Sequence, residues 1–241
     1  MFFQESVLRS FLNTRFLCFF QGENVLRQNW IAISNFLTIT VISYLLVVRL
    51  KLWPQKRWKQ ILLIAVLTVV IVLASLLAYM IFAIGNDVVT DVVVKNAEGS
   101  ETALVLYHPG LSSFAHDIAY AFADGLVSGG WRVEIATPSS EAPTDASDYG
   151  LLVLCFSTYG GKPDSPTTRH LERMGDLGGV NVVLVGLAGG DAQGSTAIMR
   201  DAVEYANGVI ILEKAWFNMA PNEGDKAATV LAEETGQGLA P

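Results

Sequence analysis

Two long uncharged runs near the start of the chain set the terms for the rest of it. Ile31 to Val48 holds eighteen residues without a charge, and Ile61 to Ile84 holds twenty-four. A helix rises 1.5 Å per residue, so the second run makes a rod of about 36 Å, enough to cross a hydrocarbon core of about 30 Å with some tilt. The first run carries Ser34, Asn35, Thr38, Thr40 and Ser43. Such groups can bond back to helix carbonyls or to a neighbouring helix. Its length and aromatic flank argue against a core helix of a soluble domain. Between the runs, Lys51 to Gln60 reads KLWPQKRWKQ. Pro54 breaks the helix, Trp53 and Trp58 suit the headgroup layer, and four Lys/Arg crowd the loop. Residues 29–85 are therefore expected to hold two transmembrane helices, at about 30–50 and 61–84.

Charge divides the chain at the same place. Residues 1–84 carry eight Lys/Arg against two acids, while residues 85–241 carry eight against twenty-one. An acidic soluble part repels phosphate backbones, which excludes nucleic acid as a partner. The bilayer itself is the expected partner of the basic part. The positive-inside rule places the basic 51–60 loop in the cytoplasm, and hence the soluble domain outside. Upstream, Phe3, Val7, Leu8, Phe11, Leu12 and Phe16 recur at helical spacing opposite Gln4, Glu5, Arg9 and Asn13. Residues 1–28 thus read as an amphipathic segment that lies on the membrane surface or binds a partner.

Beyond a linker at 86–100, with a short strand at Asp91–Lys95, apolar strands alternate with amphipathic helices. Thr102–Tyr107, Trp131–Ala136, Gly150–Phe156, Val180–Gly186 and Val209–Leu212 read as strands. Ser113–Ser128, Gly194–Tyr205 and Asn222–Thr235 read as helices. Continuous apolar strands separated by helices imply a parallel sheet buried on both faces, and five of them imply an α/β, doubly wound domain. Ligands in such folds bind at the carboxyl ends of the strands where strand order reverses.

Three loops fall on that edge. His108-Pro109-Gly110-Leu111-Ser112-Ser113-Phe114 enters the first helix, so its backbone N–H groups and two serines suit an anion or serve only as an N-cap. Ser157-Thr158-Tyr159-Gly160-Gly161-Lys162-Pro163 sets a tyrosine beside two glycines. The tyrosine either stacks on a flat ligand or packs on the next helix. Ala188-Gly189-Gly190-Asp191 offers tight turns and exposed N–H groups. Cys155 reads as a small core residue. The three histidines are scattered, without metal-binding spacing, and no serine lies in a nucleophile elbow.

The stretch from Thr102 to about Gly236 resembles the flavodoxin family, most specifically over Tyr149 to Pro163 (YGLLVLCFSTYGGKP). The resemblance implies a flavodoxin-like five-stranded domain at 101–241 behind the two-helix hairpin, with FMN as cofactor. It sets Tyr159 against the isoalloxazine ring, with Ser157, Thr158, Gly160 and Gly161 around it. It brings Gly186 to Gly190, including Ala188, to the pyrimidine edge, and gives the phosphate to His108–Phe114. That last run departs from the family's T-x-T-G-N-T-like pattern: Phe114 stands where a hydroxyl is expected, leaving Ser112 and Ser113 as side-chain donors. The implied function is a membrane-anchored FMN electron carrier or oxidoreductase that works with a membrane redox protein. The alternative is a flavodoxin fold that has lost FMN and serves as a protein-binding or assembly module. A flavin reductase using a nicotinamide would need a dinucleotide fingerprint, and none is present.

Overall fold

The computed structural model describes residues 56–241, so the amphipathic segment 1–28 and the first apolar span lie outside the described residues. The chain divides into two units, residues 1–80 and 81–241. Helix α1 spans Arg57–Gly85 and has no buried residue. At 1.5 Å per residue its length is about 43 Å, long and apolar enough to cross a membrane. Its two aliphatic hydroxyls are internally satisfied: Thr68 Oγ1 donates to the Ile64 carbonyl at 2.9 Å and Ser75 Oγ to the Ile71 carbonyl at 2.7 Å.

The second unit is a sheet with helices on both faces. Its elements are β1 (Val93–Lys95), β2 (Thr102–Tyr107), α2 (Phe114–Ser128), β3 (Arg132–Ala136), β4 (Leu151–Tyr159), β5 (Lys162–Pro163), α3 (Ser165–Met174), β6 (Asn181–Ala188), α4 (Gln193–Tyr205), β7 (Val209–Phe217) and α5 (Ala228–Gln237). The parallel strands run in the order β3-β2-β4-β6-β7. Strand β1 pairs antiparallel on the outer edge of β3, and β5 folds antiparallel onto the end of β4. Strand order reverses between β2 and β4, which is the switch point of this topology.

Alternation along the strands builds two cores. Val105, Val153, Cys155, Val183 and Val185 face α2 and α5, whose Ile118, Phe122, Leu126 and Ala232 meet them. Leu104, Leu106, Leu152, Leu154, Phe156 and Leu184 face α3 and α4, where Leu171, Met199 and Val203 cover them. Cys155 is fully buried, and burial pushes its thiol well above the ordinary range. Trp216 is buried against Phe122 at 6.3 Å between ring centroids, so it belongs to the core.

Several boundaries differ from expectation. Strand β7 continues past Leu212 to Phe217, and the closing helix begins at Ala228 rather than Asn222. Helix α3 was not anticipated. The crossover from β3 to β4, residues 137–150, carries only a short 3-10 turn at Ala146–Asp148 in place of an α-helix. That crossover still covers the sheet, because Ala142 and Ala146 are buried in the second core.

His170 of α3 pins the crossover. It is fully buried, with Nε2 2.9 Å from the Pro143 carbonyl and Nδ1 3.2 Å from the Ser139 carbonyl and 3.1 Å from the Arg173 guanidinium. A neutral ring donating through Nε2 and accepting at Nδ1 from Arg173 suits that setting. Burial, with help from Arg173, lowers its pKa. Because the unfolded chain then takes the proton first, stability from His170 is complete above the ordinary imidazole pKa of about 6.5 and is lost as pH falls through the depressed value. The stability gap between full-length wild type and His170→Gln, from denaturant midpoints, is expected to narrow as pH is lowered. A gap independent of pH would show that the ring does not titrate with unfolding.

Candidate functional site

The first loop leaves β2 beside the switch point. His108 is fully buried, with Nε2 3.2 Å from the Ala83 carbonyl, while its Nδ1 has no hydrogen-bond partner among the described residues. Leu111, Ser112 and Ser113 are exposed. Ser113 begins α2 without a side-chain cap bond. Ser112 Oγ accepts from the Phe114 N–H at 3.4 Å. His116 Nδ1 bonds the Asp117 carboxylate at 3.2 Å, and that contact first, with Ser113 nearby, holds the carboxyl's pKa below the usual range. A negative charge therefore stands in the first turn of α2.

The third loop is a tight hairpin. Thr158 pairs with Pro163 and Tyr159 with Lys162, so Gly160 and Gly161 form a two-residue turn. Both lie at positive φ, 59° and 77°, as turns matching the strand twist require. The hairpin is fixed at two points. Thr158 Oγ1 lies 2.6 Å from Ser195 Oγ at the start of α4. Asp164, 1% exposed, accepts the Ser157 N–H at 2.8 Å and the Thr167 N–H at 2.9 Å. Its own N–H donates to the Ser157 carbonyl at 2.9 Å. Burial pushes the Asp164 carboxyl upward, while the nearby His108 and the two N–H donors oppose the shift.

Tyr159 is half-buried and its side chain reaches the first loop. Its hydroxyl lies 2.5 Å from where a Cβ on Gly110 would stand, and that residue has φ +63°. Burial raises the phenol's pKa, and the neighbouring Leu111 backbone and Ser157 side chain work against the rise.

The fourth loop follows β6, which runs in register with β4, Leu187 opposite Ser157. Gly189 and Gly190 are exposed and Ala188 is buried. Asn218 and Met219 donate their N–H groups to the Ala188 and Gly189 carbonyls at 3.2 and 3.1 Å. Met219 is 87% exposed, so a soft apolar side chain borders this loop.

The three loops thus share one sheet edge. The first and third touch through Tyr159, and the third and fourth leave adjacent strands at the same height. Asp164, Ser195 and Met219 were missed as site residues. The Asp164-Ser165-Pro166 run is a helix-start signal that marks the first of them; Ser195 and Met219 carry no sequence signal. Tested against a flavin, the ring end fits: bare glycine backbone from two neighbouring strands lines an exposed edge. At the phosphate end the Tyr159 hydroxyl already stands against Gly110, and Asp117 adds like charge.

No protein-family model and no curated protein matches the chain. Among solved structures it is similar to a flavodoxin from the domain Archaea, at 16% identity over 58% of this chain and 96% of that one, with a TM-score of 0.47. It is similar to the Streptococcus pneumonia TIGR4 flavodoxin at 18% identity over 57% of this chain and 94% of that one, with a TM-score of 0.45. It is also similar to NAD(P)H:quinone oxidoreductase from Methanothermobacter marburgensis at 14% identity over 57% and 96%, with a TM-score of 0.43. The soluble domain has a flavodoxin-like fold, and the strand order and paired helix layers described above carry that assignment.

Replacing Asp164 tests what shapes the edge. Asp164→Ala strands two buried N–H groups and is expected to cost about 2–3 kcal/mol in chemical denaturation. Asp164→Asn keeps an acceptor and removes a buried charge, so it should cost less. An Asn variant as damaging as Ala would show that both oxygens must accept, because the Asn amide nitrogen faces one of the two N–H groups as a second donor.

Proposed function

We propose that this chain is a membrane-anchored flavodoxin-fold redox protein that binds FMN and exchanges electrons with a redox protein in the same bilayer. The observation that carries the reading is the register of β4 and β6, by which the Ser157–Gly161 and Ala188–Gly190 loops leave adjacent strands at the same height, next to the switch point between β2 and β4. Ser157, Thr158, Tyr159, Gly160 and Gly161 would hold one side of the ring, and Ala188, Gly189 and Gly190 its edge. His108, Pro109, Gly110, Leu111, Ser112, Ser113 and Phe114 would receive the tail. When bound, the flavin supplies reversible uptake and release of electrons, and no side chain needs to act as an acid or base.

The chain's own contribution is position and field. Glycine backbone permits close approach of a flat ring. The twenty-one acids of residues 85–241 make added negative charge at the edge more costly, which favours a low reduction potential. A tether through α1 raises the local concentration of the domain near a partner in the membrane. With the basic loop inside, the domain stands on the outer side.

A second reading is a fold that has lost FMN and serves as a protein-binding or assembly module. The Tyr159 hydroxyl lodged in the first loop favours it.

The first test is a visible absorption spectrum of detergent-purified full-length protein before and after addition of FMN. Flavin bands are expected, with affinity reduced about ten- to a hundredfold by Tyr159→Ala through loss of stacking. A colourless protein that ignores added FMN would select the binding module. Orientation is tested separately: a C-terminal reporter active only outside should report, and one active only in the cytoplasm should stay silent.

A further inference from the structure

We propose that the Tyr159 hydroxyl is a specificity device that blocks the phosphate end of the flavin site, so that the chain gives FMN little advantage over riboflavin. The inference rests on the flavin reading above and concerns which flavin that site takes. Tyr159 ends β4 and could have turned outward along the exposed hairpin. Its hydroxyl instead crosses to the first loop and lies close against Gly110, 2.5 Å from where a Cβ would stand. The neighbouring Phe114 N–H is turned to Ser112 Oγ at 3.4 Å.

A phosphate entering this loop meets three costs. It must displace the phenol oxygen from its place against the Gly110 backbone. It gives up the contacts that hold a half-buried tyrosine side chain there. It brings negative charge toward Asp117 on a run, His108–Phe114, that contains no Lys or Arg. The ring end, lined by Gly160, Gly161, Gly189 and Gly190, bears none of these costs. A flavin without phosphate therefore keeps the favourable contacts and avoids the unfavourable ones.

The experiment titrates detergent-purified full-length protein with FMN and with riboflavin, following quenching of flavin fluorescence, in wild type and in Tyr159→Phe. The Phe variant keeps the ring and removes only the hydroxyl. In wild type the two affinities are expected to lie within about tenfold of each other, a result that needs no variant. In Tyr159→Phe, which clears the oxygen from the Gly110 backbone, the ratio should move toward FMN by about tenfold. Wild-type protein that prefers FMN by a hundredfold or more would overturn the inference and leave the flavin function standing. So would a ratio that Tyr159→Phe leaves unchanged or moves toward riboflavin. Binding of neither flavin by either protein would overturn the function itself and this inference with it.

Discussion

The buried carboxylate of Asp164 holds the functional edge in shape. It takes one N–H from the end of β4 and one from the first turn of α3, and so ties a strand, a hairpin and a helix through a single side chain. Burying a charge is costly unless its lone pairs are used, and here both oxygens accept. Without that tie, the chain beyond Ser157 would lack a fixed direction. The glycine turn at 160–161 would then no longer lie against Gly194, and Tyr159 would no longer reach Gly110. The Thr158–Ser195 contact on the other side of the hairpin completes the clamp.

The same edge is bonded to residues 83–88, which close α1 and follow it. His108 Nε2 bonds the Ala83 carbonyl, Thr137 bonds the Val88 carbonyl, and Arg169 bonds both the Gly85 carbonyl and the Asp87 carboxylate. Arg173 reaches the second Asp87 oxygen at 3.3 Å. These bonds satisfy carbonyls at the end of a helix, where no further N–H is available from the helix itself. They also explain why α3 presents arginines on a polar surface. Its charged residues answer Asp87 and the helix end, while Leu171 and Met174 face the core.

What the sequence made legible and what it hid follow from one distinction. Strands buried on both faces must be apolar at every position, so β2, β4 and β6 announce themselves. An edge strand is under no such demand. Strand β7 reads as ending at Leu212 because Glu213 and Lys214 follow, yet it runs on to Phe217, with Glu213 satisfied by Arg200 of α4. Helix α3, SPTTRHLERM, offers few apolar residues for a periodicity to show. Its clearest mark was the capping aspartate and the proline of the first turn. Strand β5 is two residues long and exists only because of the turn before it. For the site, the loops were legible from their glycines and their place after apolar strands. The direction of the Tyr159 side chain was not, because it depends on a contact between residues distant in sequence.

That contact bears on how a loop of this kind can work at all. Backbone N–H groups at a helix start attract an anion only while they lack a better acceptor. A tyrosine built into the neighbouring strand is always present, whereas a ligand must be drawn from solution and lose its freedom. An internal hydroxyl therefore competes at a high effective concentration for the place beside the loop backbone. The missing side chain of Gly110 makes the arrangement possible, since a Cβ there would collide with the phenol oxygen. The glycine that in an open loop would let backbone approach a phosphate here lets it approach a side chain of the same protein.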